Sequence, residues 1–425
     1  MIFFITAEKS NKWEINDSYD SGPDGGYGWL VVVGSFFGIL QAYFEENVFH
    51  GIPDAQFQLS FAGTIIGLMP NLMGPVFQIL VARYGVRMTQ IMGVFFMVLG
   101  LEMASFASKI WHLYFTQGFL FGLGAAFLYV SAMAIPPQWF NRRRGLGLGI
   151  VTSGSGIGGV ILPFIMTSLS KNLGIAWTYR ILGFIYLALN SITCILVKEK
   201  YPRNKKIKSA DDGEEQPVIA PPTLKEIFDF SVLKDSTFVL WMVASMISTL
   251  GNFVPFFFLP TYATYHDLSS ADGTTFMAVL AGSNCVGRVS LGFIGDRIGR
   301  LNAHIMSNLL SAVAAFGVWT VATTYASIMG FAVLYGLFCS SYYCLLSAIT
   351  ATIVGIDKFP TALSIMMLSN TFAVLGPSIA SAIESNLDTN PYFSYKMFTG
   401  ATFALGTFLL VLLKLKMTRS LLVKI

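Results

Sequence analysis

Apolar stretches of membrane-crossing length alternate with short polar segments from residue 29 to residue 415. A helix needs about 20 apolar residues to cross a hydrocarbon core of roughly 30 Å. Because lipid offers no partners for backbone N–H and C=O groups, a chain of this kind crosses as helices. The pattern therefore predicts an all-α membrane protein with 12 transmembrane helices. We place them at 29–48, 60–81, 88–107, 113–135, 145–167, 176–197, 237–263, 274–295, 303–323, 327–354, 361–383 and 393–415.

A polar segment divides these helices six and six. Residues 198–236 carry a basic run, then an acidic run and several prolines, and are too polar to cross lipid. An even division of this kind is typical of transporters built from two similar bundles. The predicted organisation is an N-terminal tail at 1–28, a six-helix bundle at 29–197, a linker at 198–236, a second six-helix bundle at 237–415 and a C-terminal tail at 416–425.

Composition excludes a soluble protein. Hydrophobic residues make up 54% of the chain and charged residues 12%, against about 25% charged residues in soluble domains. The mean hydropathy is +0.64. A soluble fold of 425 residues could not bury so much apolar surface.

Lys and Arg are distributed unequally between the two faces of the predicted membrane domain. Of the 27, only Lys109, Lys171 and Lys396 are expected in loops on the outer face, and Arg180 and Arg288 lie within or at the edge of apolar stretches; the other 22 lie on the opposite face. Cytoplasmic loops carry an excess of these residues, so we expect both termini in the cytoplasm. The plasma membrane is the expected location, with the vacuolar membrane as the alternative. Anionic lipid headgroups, rather than nucleic acid, are the expected partner of the net charge of +4.

The four His and four Cys residues form no arrangement typical of a catalytic or metal site. The His residues are scattered near predicted loops, and the Cys residues lie in apolar stretches without the spacing of metal ligands. We therefore expect no enzymatic activity, no cofactor and no metal.

Two motifs carry a family resemblance. The first, just before the first apolar stretch, consists of Asp24, Gly25, Gly26, Tyr27, Gly28 and Trp29. The second, after the fourth stretch, joins Trp139 and Phe140 to Arg142, Arg143 and Arg144. Together they resemble the motifs of the monocarboxylate transporter family of the major facilitator superfamily. The segment 43–51 resembles the fungal branch that includes riboflavin importers. The resemblance implies two bundles that rock around a central cavity.

A loop motif of the superfamily recurs in both halves. In the second half it is nearly complete, with Asp296, Arg297 and Arg300, whereas the first half has Arg83 and Arg87 but Ala82 in the position of the Asp. The resemblance implies a latch at the cytoplasmic face, and we expect it to be stronger in the second half. The alternative is that these Arg residues only set the topology.

Arg288 lies well inside the eighth apolar stretch. A mid-membrane Arg costs about 2.5–3.5 kcal/mol by insertion scales, so it should face a cavity or a partner. Guanidinium binds carboxylate in a bidentate manner. In the family an Arg at this point binds the substrate anion, and the resemblance implies that role here. The alternative is an Arg that pairs with another protein group and stabilises the bundle.

Two positions depart from the proton-coupled members of the family. Asn284 and Asn47 stand where those members have an Asp and a Lys. An amide cannot bind and release a proton at physiological pH, so proton coupling is not implied. Tyr43 and other aromatic residues favour a cavity for a flat ring. Asn252 with Pro255, and Asn370 with Gly376 and Pro377, predict bends in the seventh and eleventh helices.

These observations predict a secondary transporter that moves a small organic solute by alternating access. The solute is either a monocarboxylate-like anion or an aromatic metabolite such as riboflavin. Substrate-binding residues would be Arg288, Asn284, Asn47 and Tyr43. The alternative is a transporter-like nutrient sensor without net flux, which the short C-terminal tail disfavours.

Overall fold

The computed structural model describes residues 65–107, 109–140, 142–198, 229–386, 390–418 and 423. These residues form helices joined by short turns, without strands, as the hydrophobic pattern predicts. Nine of the helical segments are long and apolar enough to cross a membrane. We label the helices α1 (65–72), α2 (Gly74–Ala104), α3 (Trp111–Trp139), α4 (Arg144–Leu196), α5 (Ser236–Tyr265), α6 (Ser270–Ile298), α7 (Arg300–Trp319), α8 (Tyr325–Gly355), α9 (Lys358–Asn386) and α10 (Phe393–Thr418).

Helix α4 contains two membrane-crossing arms. The 53 residues of α4 would measure about 80 Å as one rod, far more than a bilayer core. The helical path is interrupted at Gly174, where φ is 80°, and α2 is interrupted likewise at Gly85. The predicted fifth and sixth helices are therefore the two arms of α4. The predicted first helix lies outside the described residues.

The repeated loop motif has the same backbone conformation in both halves. Gly85 between the second and third predicted helices has φ 79°, and Gly299 between α6 and α7 has φ 101°. Residues with a side chain rarely adopt these angles, so glycine is required at both turns. Both copies of the loop motif therefore place a glycine with positive φ at the turn.

The bends predicted for the seventh and eleventh helices are present. α5 is interrupted at Phe253, just after Asn252 and before Pro255. α9 is interrupted after Asn370, where 371–375 form turns and a short 3₁₀ segment. The two interruptions lie side by side. Gly376 of α9 is so close to the Leu250 carbonyl of α5 that a Cβ added to Gly376 would overlap it.

We call the end of the bundle that carries the clustered Arg and Lys side chains the basic end. Contacts there connect elements that are distant in sequence: Trp139 Nε1 donates to the Lys198 carbonyl at 2.8 Å. The last part of the linker forms a short helix at Phe230–Lys234, and Lys358 of α9 contacts Asp229 beside it at 3.3 Å. The rest of the linker, 199–228, lies outside the described residues.

The largest buried apolar cluster crosses from the first half to the second. It joins Phe77 and Met133 to Leu291, Leu363 and Met366. The two halves therefore pack against each other in this conformation.

Lys396 differs from its expected position in an outer loop. It lies in the first turn of α10, buried, where its amine donates to the Tyr262 hydroxyl at 2.8 Å and lies 4.4 Å from the centre of that ring. Aromatic packing with a cation–π contact and a hydroxyl acceptor stabilises the buried charge, which a hydropathy pattern cannot reveal.

Candidate functional site

The first arm of α4 and helix α6 touch through backbone atoms where the two halves meet. An added Cβ on Gly145 would lie 2.6 Å from the carbonyl oxygen of Gly292, and one on Gly292 would lie 2.3 Å from that of Gly145. On Gly149 it would lie 2.4 Å from the carbonyl oxygen of Arg288. Small residues permit this approach between membrane helices. The contact closes the basic end of the interface.

Asp296 joins the two halves at the same end. Its carboxylate accepts hydrogen bonds from the backbone N–H groups of Gly145 at 2.9 Å and Leu146 at 2.8 Å, and Arg300 lies 3.4 Å away. The first N–H groups of a helix lack intrahelical partners, and the helix dipole favours an anion there. An acid of the second half thus caps a helix of the first half.

A side chain of the first half makes the corresponding contact to the second half, and it is an amide. Gln78 of α2 donates to the Thr361 hydroxyl at 3.0 Å and accepts from the Ser364 hydroxyl at 2.9 Å, with all three side chains buried. Gln78 lies one helical turn before Ala82, the position where the motif would have its Asp. The two halves therefore differ at the basic end. The second half contributes a charged contact through Asp296, whereas the first half, which has Ala82 instead of an Asp, contributes a neutral contact through Gln78.

Arg288 reaches from α6 across the interface into the first half. Its Nη1 donates to the Thr152 carbonyl at 2.6 Å and to Ser155 Oγ at 2.5 Å, both on α4. The guanidinium lies 5.4 Å from the ring centre of Tyr343. Its Nε is buried and has no hydrogen-bond partner among the residues that the structure describes. At 1.5 Å per residue, Arg288 is about 15 Å from the end of α6, inside the hydrocarbon layer.

An aromatic cluster begins at this guanidinium. Tyr343 contacts Tyr342 and Phe253, with ring centres 5.2 and 6.3 Å apart, so the cluster reaches the interruption of α5. A cation beside such a cluster can recognise an anion attached to a flat apolar group.

Asn284, one turn before Arg288, does not contact it. Its amide donates to Cys339 Sγ of α8 at 3.4 Å, and the residue is buried. Asn284 therefore packs α6 against α8 in this conformation. Tyr43 and Asn47, expected beside it, and the motif from Asp24 to Trp29 with Gly25, Gly26 and Gly28 lie outside the described residues.

The remaining motif residues lie at the basic end. Arg83, Arg87, Arg142 and Arg143 are exposed there, and Arg297 lies over the Phe293 ring at 4.3 Å. Arg144 differs from them, because it is buried and its Nε donates to the Phe140 carbonyl of the preceding turn at 2.9 Å. The triple Arg therefore contains two solvent-facing charges and one that shapes the start of α4.

Sequence reasoning missed Gln78 and Ser155. Both are neutral residues in apolar or small-residue helices, and no motif marks them. A buried amide in a membrane helix was the available signal for Gln78. Ser155 offered only its place in the small-residue sequence 153–159.

Comparison with known proteins decides the family. The model of the Major Facilitator Superfamily matches residues 30–329. The chain belongs to this superfamily. It is similar to an MFS-type transporter of Gibberella moniliformis, 29% identical over 93% of this chain and 92% of that protein. An agnestins efflux protein of Paecilomyces divaricatus is also 29% identical, over 93% of this chain and 89% of its own length.

Solved structures share the fold of this superfamily member. The fucose:proton symporter of E. coli superimposes with a TM-score of 0.65 at 12% identity, covering 91% of this chain and 96% of that one. The human organic anion transporter MFSD10 gives 0.65 at 14% identity, covering 90% and 97%. The predicted superfamily and its two six-helix bundles are confirmed. The narrower monocarboxylate family and its riboflavin branch stay predictions.

Proposed function

We propose that this transporter moves small organic anions with a flat apolar body, such as aromatic monocarboxylates, by alternating access. Arg288 is the residue that binds the anion. The observation that carries the proposal is its guanidinium, deep in the membrane at the contact of the two halves, with a Tyr343 ring 5.4 Å away and an Nε that has no acceptor among the described residues.

The energetics of Arg288 support this role. A buried N–H without an acceptor costs about 1–3 kcal/mol, and a hydrogen bond to a charged group contributes about 1.5–3 kcal/mol. A solute carboxylate that accepts a hydrogen bond from Nε would remove the cost of the unsatisfied N–H and form a hydrogen bond to a charged group. The competing explanation, an Arg fully occupied by protein groups, accounts for Nη1 but gives Nε no acceptor within the described part of the chain.

Alternating access requires two units that move against each other, for which we propose the bounds 29–197 and 237–415. Because the Gly145, Asp296 and Gln78 contacts all lie towards the basic end, this conformation is closed there. We place that end in the cytoplasm by the excess of Lys and Arg. The agnestins and fujikurins efflux proteins among the relatives favour net outward transport.

The coupling mechanism differs from that of proton-coupled monocarboxylate carriers. Asn284 donates a hydrogen bond to Cys339. Because its side chain is an amide, it cannot bind and release a proton beside Arg288. We therefore expect solute flux through the Arg288 site without a requirement for a proton gradient.

The test is uptake of labelled pyruvate, benzoate and riboflavin into liposomes containing the purified protein, with and without a proton gradient. Protein-free liposomes give the passive leak. We expect benzoate transport that Arg288→Ala abolishes. The matched control is Arg180→Ala, which removes another Arg inside an apolar span, held by Trp177 and Phe106 away from the interface. Full benzoate transport by a membrane-inserted Arg288→Ala protein would refute the proposal.

A further inference from the structure

The Arg288 guanidinium has one nitrogen, Nη1, fixed by the protein and another, Nε, without a partner in the part of the chain that the structure describes. Ser155 Oγ donates its own proton to the Thr152 carbonyl at 3.0 Å, which leaves its lone pairs for Nη1 of Arg288. Nη1 therefore meets two acceptors on one turn of α4, while Nε has none among the described residues. The arrangement fixes which edge of the guanidinium can receive an anion.

The two partners belong to different halves of the molecule. Ser155 lies on α4 of the first half, and Arg288 lies on α6 of the second. The bond sits beside the Gly149 contact, where the backbones of these helices touch. When the halves separate at the basic end, the acceptors on α4 move away from Nη1. The bond can therefore exist only while that end is closed.

We propose that Ser155 is a positioning residue that couples anion binding to closure of the basic end. With Nη1 held, the guanidinium presents its Nε edge in a fixed orientation, and binding to a preorganised group loses less entropy. This inference rests on the proposed role of Arg288 in anion binding. Because coupling is reciprocal, an anion that binds better in the closed conformer must also stabilise that conformer.

Spin labels at the basic end measure the closed and open populations directly. Tyr84 and Ile298 lie at that end on opposite halves, with exposed fractions of 58% and 42%. Cysteines at these positions, in a protein whose four native Cys residues are serine, can be labelled and placed in lipid nanodiscs. Pulsed electron resonance then gives the distance distribution with and without benzoate.

The expected result has two parts. Without benzoate, Ser155→Ala shifts the ratio of closed to open molecules towards open by roughly tenfold, the effect of losing one hydrogen bond to a charged group. In a protein that already carries Arg288→Ala, adding Ser155→Ala causes no further shift, because the bond it would break is already absent. With benzoate, the closed fraction rises in the otherwise unmodified labelled protein and rises several-fold less in Ser155→Ala.

Three outcomes separate the claims. If Ser155→Ala matches the labelled parent protein in both conditions, the positioning role is wrong. If benzoate opens the basic end, anion and α4 compete for Arg288 and the proposed coupling is wrong. If benzoate changes no variant while Ser155→Ala still opens the basic end, the contact stands and the proposed anion function fails. Ser191→Ala, an exposed Ser bonded only within its own helix to Leu187, is the control and should change neither population.

Discussion

The glycine at 149 should determine how tightly the basic end closes. A methyl group there would lie 2.4 Å from the carbonyl oxygen of Arg288, whereas ordinary contacts begin at 3.4 Å. The two backbones must therefore separate by about 1 Å, at an overpacking cost of about 1–3 kcal/mol. Because Gly149 and Arg288 lie on different halves, the clash arises only in the closed conformer. Gly149→Ala should shift the population towards open by roughly 5- to 150-fold.

The matched control is Gly282→Ala on α6, where an added Cβ would meet no atom within 4 Å. Both substitutions bring the helix-forming preference of alanine, about 1 kcal/mol, which acts equally on both conformers and cancels. Spin labels at residues 84 and 298 give the populations. Equal distance distributions in Gly149→Ala and Gly282→Ala would refute the claim that close backbone contact holds the basic end shut.

Three further predictions concern other residues, and one of them has its own control substitution. Asp296→Asn keeps the size but removes the charge that caps α4, so the open fraction should rise at least roughly tenfold in the same measurement; an unchanged ratio would count against the cap. Gln78→Leu removes both hydrogen bonds to α9 and should also favour the open form, whereas Gln90→Leu, which breaks a bond within the first half, should lower thermal stability without changing that ratio. Burial, with Lys396 nearby, lowers the pKa of His266, so the folded state binds fewer protons than the unfolded state. Stability should therefore fall as the pH drops below about 6.5, and this fall should be smaller in His266→Gln; identical melting curves across pH would contradict it.

Periodicity and charge predicted the fold because lipid imposes strong constraints. Span length, alternation of loops and the Gly85 and Gly299 turns follow from apolar runs and from backbone angles that require glycine. The breaks near Asn252 and Asn370 were also predictable, because proline removes a backbone donor. These features depend on local sequence.

The contacts between the halves could not be predicted in the same way. The bond from Arg288 to Ser155 joins residues 133 positions apart, and Gln78 meets Ser364 across 286 positions. No local pattern encodes such pairs, since each partner is an ordinary helical residue by itself. The loop motif identified Asp296 as important, but not that its partners would be the N–H groups of Gly145 and Leu146.

The burial of Lys396 also depends on a residue that is distant in sequence. A lysine near a helix start is normally placed at the water interface by hydropathy alone. Here the Tyr262 ring and hydroxyl, supplied by another helix, compensate its burial. Only the tertiary arrangement brings these two residues together.

The central claim is that Arg288 binds the solute anion. Calorimetric titration of benzoate into the unmodified protein in lipid nanodiscs, and into Arg288→Ala and Arg180→Ala, tests it most directly. Saturable binding that weakens at least roughly tenfold in Arg288→Ala and is unchanged in Arg180→Ala is the predicted result, since a charged hydrogen bond contributes about 1.5–3 kcal/mol. Equal benzoate affinity in all three proteins would contradict the account.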